Sequence, residues 1–302
     1  SNKDMWVYAD KNKIKYSKDG YKWDEINMDA SMDYPLAIDY NGSNWLIIDG
    51  CDNSILMSNN GILWNTYDIS GTDNEKLKSI TYNGTNWLIG STDDIYYLND
   101  SSLTNLDISQ TQILDVSLVN DIHSLGLLNL AITKQGLYRS NDNSGNQWTQ
   151  INNDISYENV NKICYNGIRW VIGGRNILKY SNDISNIVWK DCNMEETNFK
   201  INDIKWCGEY FVAGGKYDIK EKNQNINNGL MIYSYDGINW KKVYNNNIFN
   251  EEVLSIAGSE YIKPIVNEKN IIINNVLGIE KLEKTINIDN INSSLLIKNE
   301  NN

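Results

Sequence analysis

Two short motifs alternate along the 302-residue chain, and their spacing constrains its fold more tightly than anything else in it. The first reads Y-N-G-x-x-W: YNGSNW at 40–45, YNGTNW at 82–87 and YNGIRW at 165–170. The second is built on S-x-D-G-x-x-W: YSKDGYKW (16–23), MSNNGILW (57–64), RSNDNSGNQW (139–148), YSNDISNIVW (180–189) and YSYDGINW (233–240). Its tryptophans, Trp23, Trp64, Trp148, Trp189 and Trp240, are 41, 84, 41 and 51 residues apart. The 84 is two periods with one copy lost, and the 51 holds an insertion. A period near 41 residues is that of a four-stranded propeller blade.

The runs between the motifs read as strands. LAIDY, NWLIID, SILMSN and LWNTYDI are short apolar stretches bounded by Asn, Gly or Asp. Asn tolerates left-handed backbone, so this chain, with only 2 Pro, makes its turns from Asn and Gly. The expected fold is all-β: one seven-bladed β-propeller of four-stranded blades filling residues 1–302, with an insertion at 216–229 in blade 6. Blades 2 to 7 are expected over about 35–69, 77–108, 113–151, 160–192, 201–244 and 253–288. Blade 1 is short, because MWVYAD, KIKYSK and KWDEIN supply three strands and no inner one. The C-terminal run containing Leu295, Leu296 and Ile297 is expected to complete blade 1 and close the ring, leaving no open inner edge.

The second motif resembles the Asp-box, or bacterial neuraminidase repeat, of sialidase-like propellers, whose full pattern is S-x-D-x-G-x-x-W. Ser17, Asp19, Gly20 and Trp23, and Ser234, Asp236, Gly237 and Trp240, match a form one residue shorter. Ser140, Asp142, Gly145 and Trp148 match with one residue more. Ser181, Asp183 and Trp189 match without the glycine, and Asn60 replaces the aspartate between Ser58 and Trp64. The Asn- and Ile-rich composition and the Y-N-G-x-x-W turns are similar to repeat proteins of giant DNA viruses, which implies a virion or assembly component. A Ser or Asp side chain holds such a turn closed by accepting backbone N–H bonds, so the box residues are expected to maintain the fold. Trp45, Trp87 and Trp170 are expected to pack between blades, with exposed platforms for sugar rings as the alternative.

The sialidase family binds its substrate carboxylate with three arginines from separate blades. This chain has Arg139, Arg169 and Arg175, two of them in one blade, and lacks the family's R-I-P segment. The single His123 supports no catalytic triad, and no phosphate-binding glycine loop is present. Catalytic, cofactor-binding and metal-binding residues are therefore expected to be absent. A net charge of −12 argues against nucleic acid as partner, since that binding relies on clustered Lys and Arg. It argues equally against an anionic membrane surface, and no apolar run is long enough to span a bilayer. Cys51, Cys164, Cys192 and Cys207 show neither a disulfide framework nor metal-ligand spacing, which points to a reducing, cytosol-like compartment, or a virion or infected host cytoplasm for a viral protein.

The remaining signal is acidic. Segments expected at one end of the blades carry Asp29, Asp33, Asp73, Glu75, Asp93, Asp94, Asp154, Glu158, Glu195, Glu196, Glu251 and Glu252. They read either as a solvated rim or as a recognition face for a protein partner with a basic surface. The functional expectation is a non-enzymatic binding or structural propeller. The alternative is a glycan-binding or glycoside-hydrolysing propeller, for which two suitably spaced carboxylates would suffice.

Overall fold

The structure is a computed structural model. It describes residues 5–10, 13–18, 22–27, 35–50, 54–69, 76–99, 118–125, 128–140, 145, 147–151, 155–183, 186–195, 197–217, 229–243, 253–257, 269–274, 284–288 and 295–297. The chain forms two compact units, residues 1–158 and 159–302.

The first unit contains four antiparallel sheets. Blade 1 is β1 (Trp6–Asp10), β2 (Lys13–Ser17) and β3 (Asp24–Asn27). Blade 2 is β4 (Pro35–Tyr40), β5 (Trp45–Asp49), β6 (Ser54–Ser58) and β7 (Asn65–Asp68). Blade 3 has three strands, β8 (Leu77–Tyr82), β9 (Asn86–Ser91) and β10 (Ile95–Asn99). Blade 4 is β11 (Val119–Ser124), β12 (Asn129–Thr133), β13 (Gly136–Ser140) and β14 (Thr149–Ile151). In the second unit, blade 5 is β15 (Val160–Tyr165), β16 (Trp170–Gly174), β17 (Ile177–Ser181) and β18 (Lys190–Asp191). Blade 6 is β19 (Phe199–Trp206), β20 (Phe211–Tyr217), β21 (Gly229–Ser234) and β22 (Lys241–Lys242). Pairing continues in β23 (Ser255–Ala257), β24 (Lys269–Asn274), β25 (Lys284–Ile288) and β26 (Leu295–Ile297).

The all-β class holds, but two parts of the expectation do not. Among the described residues six blades of three or four strands are present in place of seven of four, with β23–β26 a further four-stranded sheet. Of the C-terminal strands, only β23 has described side chains, and Ile256 there packs with Val253 onto blade 6. The expected ring closure also fails. Leu295–Ile297 pairs with Ile286–Ile288 of β25, while β1 is joined only to β2 in its sheet. Pairing with a strand a few residues upstream closes a short loop, whereas reaching β1 would close almost the whole chain, and loop-closure entropy grows with that length.

The second strand of each blade explains where the core lies. Strands β5, β9, β12 and β16 are buried at every residue, because alternate side chains feed two layers. Leu46 and Ile48 of β5 meet Leu77, Ile80, Trp87 and Ile89 of blade 3, while Ile47 meets Ile14 of blade 1. Leu88 of β9 turns the other way, onto Val119, Ile122 and Trp148 of blade 4. In the second unit Val171, Ile201, Phe211 and Ile232 form the layer between blades 5 and 6. Burial of each such side chain stabilises by about 1.5–3 kcal/mol. Outer strands such as β14 and β18 lack this double cover and are mostly exposed.

First strands carry a regular irregularity. Blades 2 to 6 each show a register shift near the start of the first strand, at Pro35/Ala37, Leu77/Ser79, Val119/Asp121, Val160/Lys162 and Ile201/Asp203. Such bulges sharpen local twist. In blades 5 and 6 the extra residue is an asparagine that ties one blade to the next strand. Asn161 Nδ2 donates to Ile201 O at 2.6 Å, and Asn202 Nδ2 donates to Val253 O at 2.9 Å.

Candidate functional site

Each blade is a meander, so its first-to-second and third-to-fourth connections share one end, and its second-to-third connection lies at the other. At the first end stand the two repeated turns. In the Y-N-G-x-x-W turn the Asn side chain holds the loop: Asn41 Oδ1 accepts from Ser43 N (2.8 Å) and Asn44 N (2.6 Å). Asn83 Oδ1 does the same for Thr85 N and Asn86 N, and Asn166 Oδ1 for Ile168 N and Arg169 N. The tyrosine before each turn lies against the tryptophan after it, with ring centroids at 4.5 Å for Tyr40–Trp45, 5.1 Å for Tyr82–Trp87 and 4.5 Å for Tyr165–Trp170. Those three tryptophans are 0–2% exposed, which leaves no ring face for a sugar. A fourth copy, hidden in sequence as WCGEYF, sits in blade 6. There Trp206 and Phe211 pack at 4.8 Å, and Cys207 N donates to Tyr210 O at 2.9 Å.

The S-x-D-G turns share that end. Ser234 Oγ accepts from Gly237 N at 2.8 Å. Asp236 Oδ1 accepts from Ile238 N (2.8 Å) and Asn239 N (2.7 Å), and Trp240 Nε1 donates to Gly237 O at 3.3 Å. Burial works against the Asp236 charge, but the bonds from Asn239, Ile238 and Ser234 win and hold its carboxyl at about 2. In blade 2 the substituted residue works equally well: Asn60 Oδ1 accepts from Ile62 N and Leu63 N, Ser58 Oγ from Gly61 N, and Trp64 donates to Gly61 O. Trp148 bonds Gly145 O at 2.7 Å, and Asp183 N donates to Ser181 Oγ at 3.4 Å. Of the other box residues, Ser17 and Ser140 are buried, and Trp23 and Trp189 are half-buried. Asp19, Gly20 and Asp142 lie outside the described residues.

The register joins the two motifs. Each box serine stands opposite the aromatic position of the other turn: Ser17 opposite Trp6, Ser58 opposite Trp45, Ser181 opposite Trp170 and Ser234 opposite Phe211. In blade 4, Ser140 faces Asn129. The repeats are therefore one structural unit read twice by the sequence.

The other end of the blades holds the second-to-third turns, each touching a blade entry. Thr92 N donates to Lys76 O, Arg175 N to Asn159 O, and Asn176 N to Phe199 O. Four of the twelve expected acids are described. Asp93, Glu158 and Glu195 are exposed. Asp94 is only 6% exposed, its N–H donating to Ser91 Oγ, so it belongs to the turn's interior. Asp29, Asp33, Asp73, Glu75, Asp154, Glu196, Glu251 and Glu252 lie outside the described residues, as does the insertion beyond Tyr217 up to Gly229.

Acidic side chains inside the blades were not singled out in the sequence, and they link neighbours. Asp39 Oδ2 accepts from Tyr82 N at 2.8 Å, and Asp203 Oδ2 accepts from Ile256 N at 2.7 Å. Their signal was an aspartate within a first strand, otherwise apolar in β4 (PLAIDY) but set among Lys and Asn in β19 (FKINDIKW). His123 lies on β11, opposite Leu130. Burial pushes the Cys164 and Cys192 thiols up to about 12, so both stay protonated near neutrality. Among the described residues no group of three His, Cys, Asp or Glu stands close enough together to hold a metal ion.

No protein-family model and no curated protein sequence matches the chain. Solved propellers do match in fold. Virginiamycin B lyase from Staphylococcus aureus is 12% identical with a TM-score of 0.64, over 90% of this chain and 88% of that one. The WD40 β-propeller domain of Doa1 is 12% identical with a TM-score of 0.61, over 91% and 87%. A chain of the mitotic checkpoint complex is 13% identical with a TM-score of 0.61, over 90% and 84%. At such identities the likeness establishes a β-propeller, a fold shared in these neighbours by a lyase, a WD40 domain and a chain of the mitotic checkpoint complex.

Proposed function

We propose that this propeller is a non-enzymatic scaffold that binds protein partners through the hairpin ends of its blades. The observation that supports this most is where exposed apolar side chains fall. Ile62, Leu63, Leu125, Ile168, Val188 and Tyr235 are the large hydrophobics exposed among the described residues, at 37–72%. Every one stands in a first-to-second or third-to-fourth connection. Single exposed hydrophobics are ordinary, and what supports the reading is that all six described ones recur in one kind of connection. Nor does the fold require them. The blade 2 turn is set by Ser58, Asn60, Gly61 and Trp64, whose bonds leave Ile62 and Leu63 free to be polar. Apolar tips on turns that do not need them gain their stabilisation when a partner covers them. The exposed acids at the remaining connections then serve to steer a basic region of a partner.

The test compares affinity capture from a cell lysate by the wild-type chain and by a variant with serine at Leu63, Ile168 and Val188. Proteins retained by the wild type and lost by the variant, at unchanged melting temperature, support the scaffold. Equal retention by both, or turnover of a fluorogenic glycoside that a single carboxylate substitution abolishes, overturns it.

A further inference from the structure

One cation at the hairpin ends of the second unit is held in place but not neutralised. Arg169 sits on the β15–β16 turn, where its N–H donates to Asn166 Oδ1 at 2.8 Å. Its Nε–H donates to Asn182 Oδ1 of the β17–β18 connection at 2.6 Å, and its Cζ lies 5.3 Å from the centroid of the Tyr180 ring. Its stem passes beside blade 6, with Cδ 3.3 Å from where a Cβ on Gly237 would be. A guanidinium carries five N–H donors, and the Asn182 bond uses one. Among the described residues no carboxylate pairs with the other four. The nearby Asp236 carboxylate is occupied by the amides and side chain of its own turn. On the same turn stands Ile168, 71% exposed.

We infer that Arg169 anchors a carboxylate of an extended partner segment, with an adjacent apolar side chain of that segment covering Ile168. This rests on the scaffold reading and names its partner chemistry. A guanidinium with its stem packed and one edge fixed has lost little freedom to lose, and its remaining N–H groups match the two oxygens of a carboxylate. The charge of the whole chain selects among anions. At −12 it repels a phosphate-dense partner over a distance that a single carboxylate at a local cation does not need. The occupant is therefore an acidic–apolar peptide segment of a protein.

The probes are fluorescent 12-residue peptides with one aspartate between two leucines, and their asparagine and phosphoserine counterparts. The aspartate peptide is expected to bind the wild-type chain, and the asparagine peptide about tenfold more weakly, in line with loss of a charge-assisted pair. Arg169→Lys keeps the charge but not the fork, and is expected to weaken the aspartate peptide about tenfold while leaving the melting temperature unchanged. Absence of binding by the aspartate peptide, equal binding of aspartate and asparagine peptides, indifference to Arg169→Lys, or tighter binding of the phosphoserine peptide each overturns the inference. If the proteins captured by the wild type are lost with serine at Leu63, Ile168 and Val188 but kept by Arg169→Lys, this site fails while the scaffold stands.

Discussion

At the scale of single residues, the turns show how a polar side chain substitutes for regular pairing, and they make two measurements informative. Asp236 has its carboxyl held at about 2, below its ordinary 3.8. A depressed value means the charged form contributes stability above about pH 4, and that contribution disappears as pH falls toward 2. Asn60 makes the same two amide bonds in blade 2 without a charge. Asp236→Asn is thus expected to fold normally at pH 7, with a melting temperature that falls less than the wild type's between pH 4 and pH 2. Equal losses for both proteins would show that this turn's charge is not felt. Glycine supplies the second measurement. Gly237 has φ of +69°, and an added Cβ would stand 2.9 Å from Phe211 and 3.1 Å from Val171. Gly42 has φ of +100° with nothing within 4 Å. Gly42→Ala carries only backbone strain, roughly 1–2 kcal/mol. Gly237→Ala adds overpacking between blades 5 and 6, typically about 1–3 kcal/mol more. Denaturant titration of the two variants checks the order.

At the scale of elements, the sequence revealed what repeats and hid what does not. Strand positions from Pro35 to Lys242 were legible because tight turns with Asn, Gly and Ser punctuate apolar runs at a fixed interval. Pairing of the last strand was not legible, since Leu295–Ile297 is apolar enough to complete any blade and carries no turn motif of its own. The bulges of blades 5 and 6 were invisible too, because the extra residue, Asn161 or Asn202, looks like any other Asn in an Asn-rich chain. The corrected pairing has a direct consequence. Deleting residues 291–302 removes the partner of Ile286–Ile288 and leaves the β1–β2 pairing from Trp6 to Ser17 intact. Hydrogen exchange is expected to quicken at Lys284–Ile288 and stay unchanged at Trp6–Asp10. Faster exchange at β1 would restore the closure that the pairing rules out. The candidate site was only half legible for a related reason. The acids stood out by composition, whereas Ile168 and Arg169 fill the variable positions of a turn and became notable only once their exposure and contacts were placed.

At the scale of the molecule, the two kinds of connection differ in their exposed apolar side chains, while charges of both signs stand at each. Among the described residues the hairpin ends carry the apolar tips, the Arg169 guanidinium and the exposed Asp183 and Glu209, while Asp93, Glu158 and Glu195 stand exposed with Lys76, Lys134 and Arg175 in the remaining connections. Surface charges act over about 8–10 Å at physiological salt, so they govern how fast a charged partner arrives more than how long it stays. The exposed acids and the Arg169 turn should therefore separate kinetically. In Asp93→Asn, Glu158→Gln and Glu195→Gln combined, the net charge changes from −12 by three units, and a lysine-rich 15-residue probe should associate more slowly. That difference should shrink as salt is raised from low ionic strength, because screening removes what the substitutions removed. The same variant should bind the aspartate–leucine peptide with unchanged dissociation rate, since none of the three acids lies in the turns that hold Arg169. Stopped-flow association with both probes across a salt series checks this. If the lysine-rich probe associates with the triple variant as fast as with the wild type at low salt, the exposed acids are only a solvated rim. If the aspartate–leucine peptide dissociates at a different rate, the acids act on the Arg169 turn, and their independence fails.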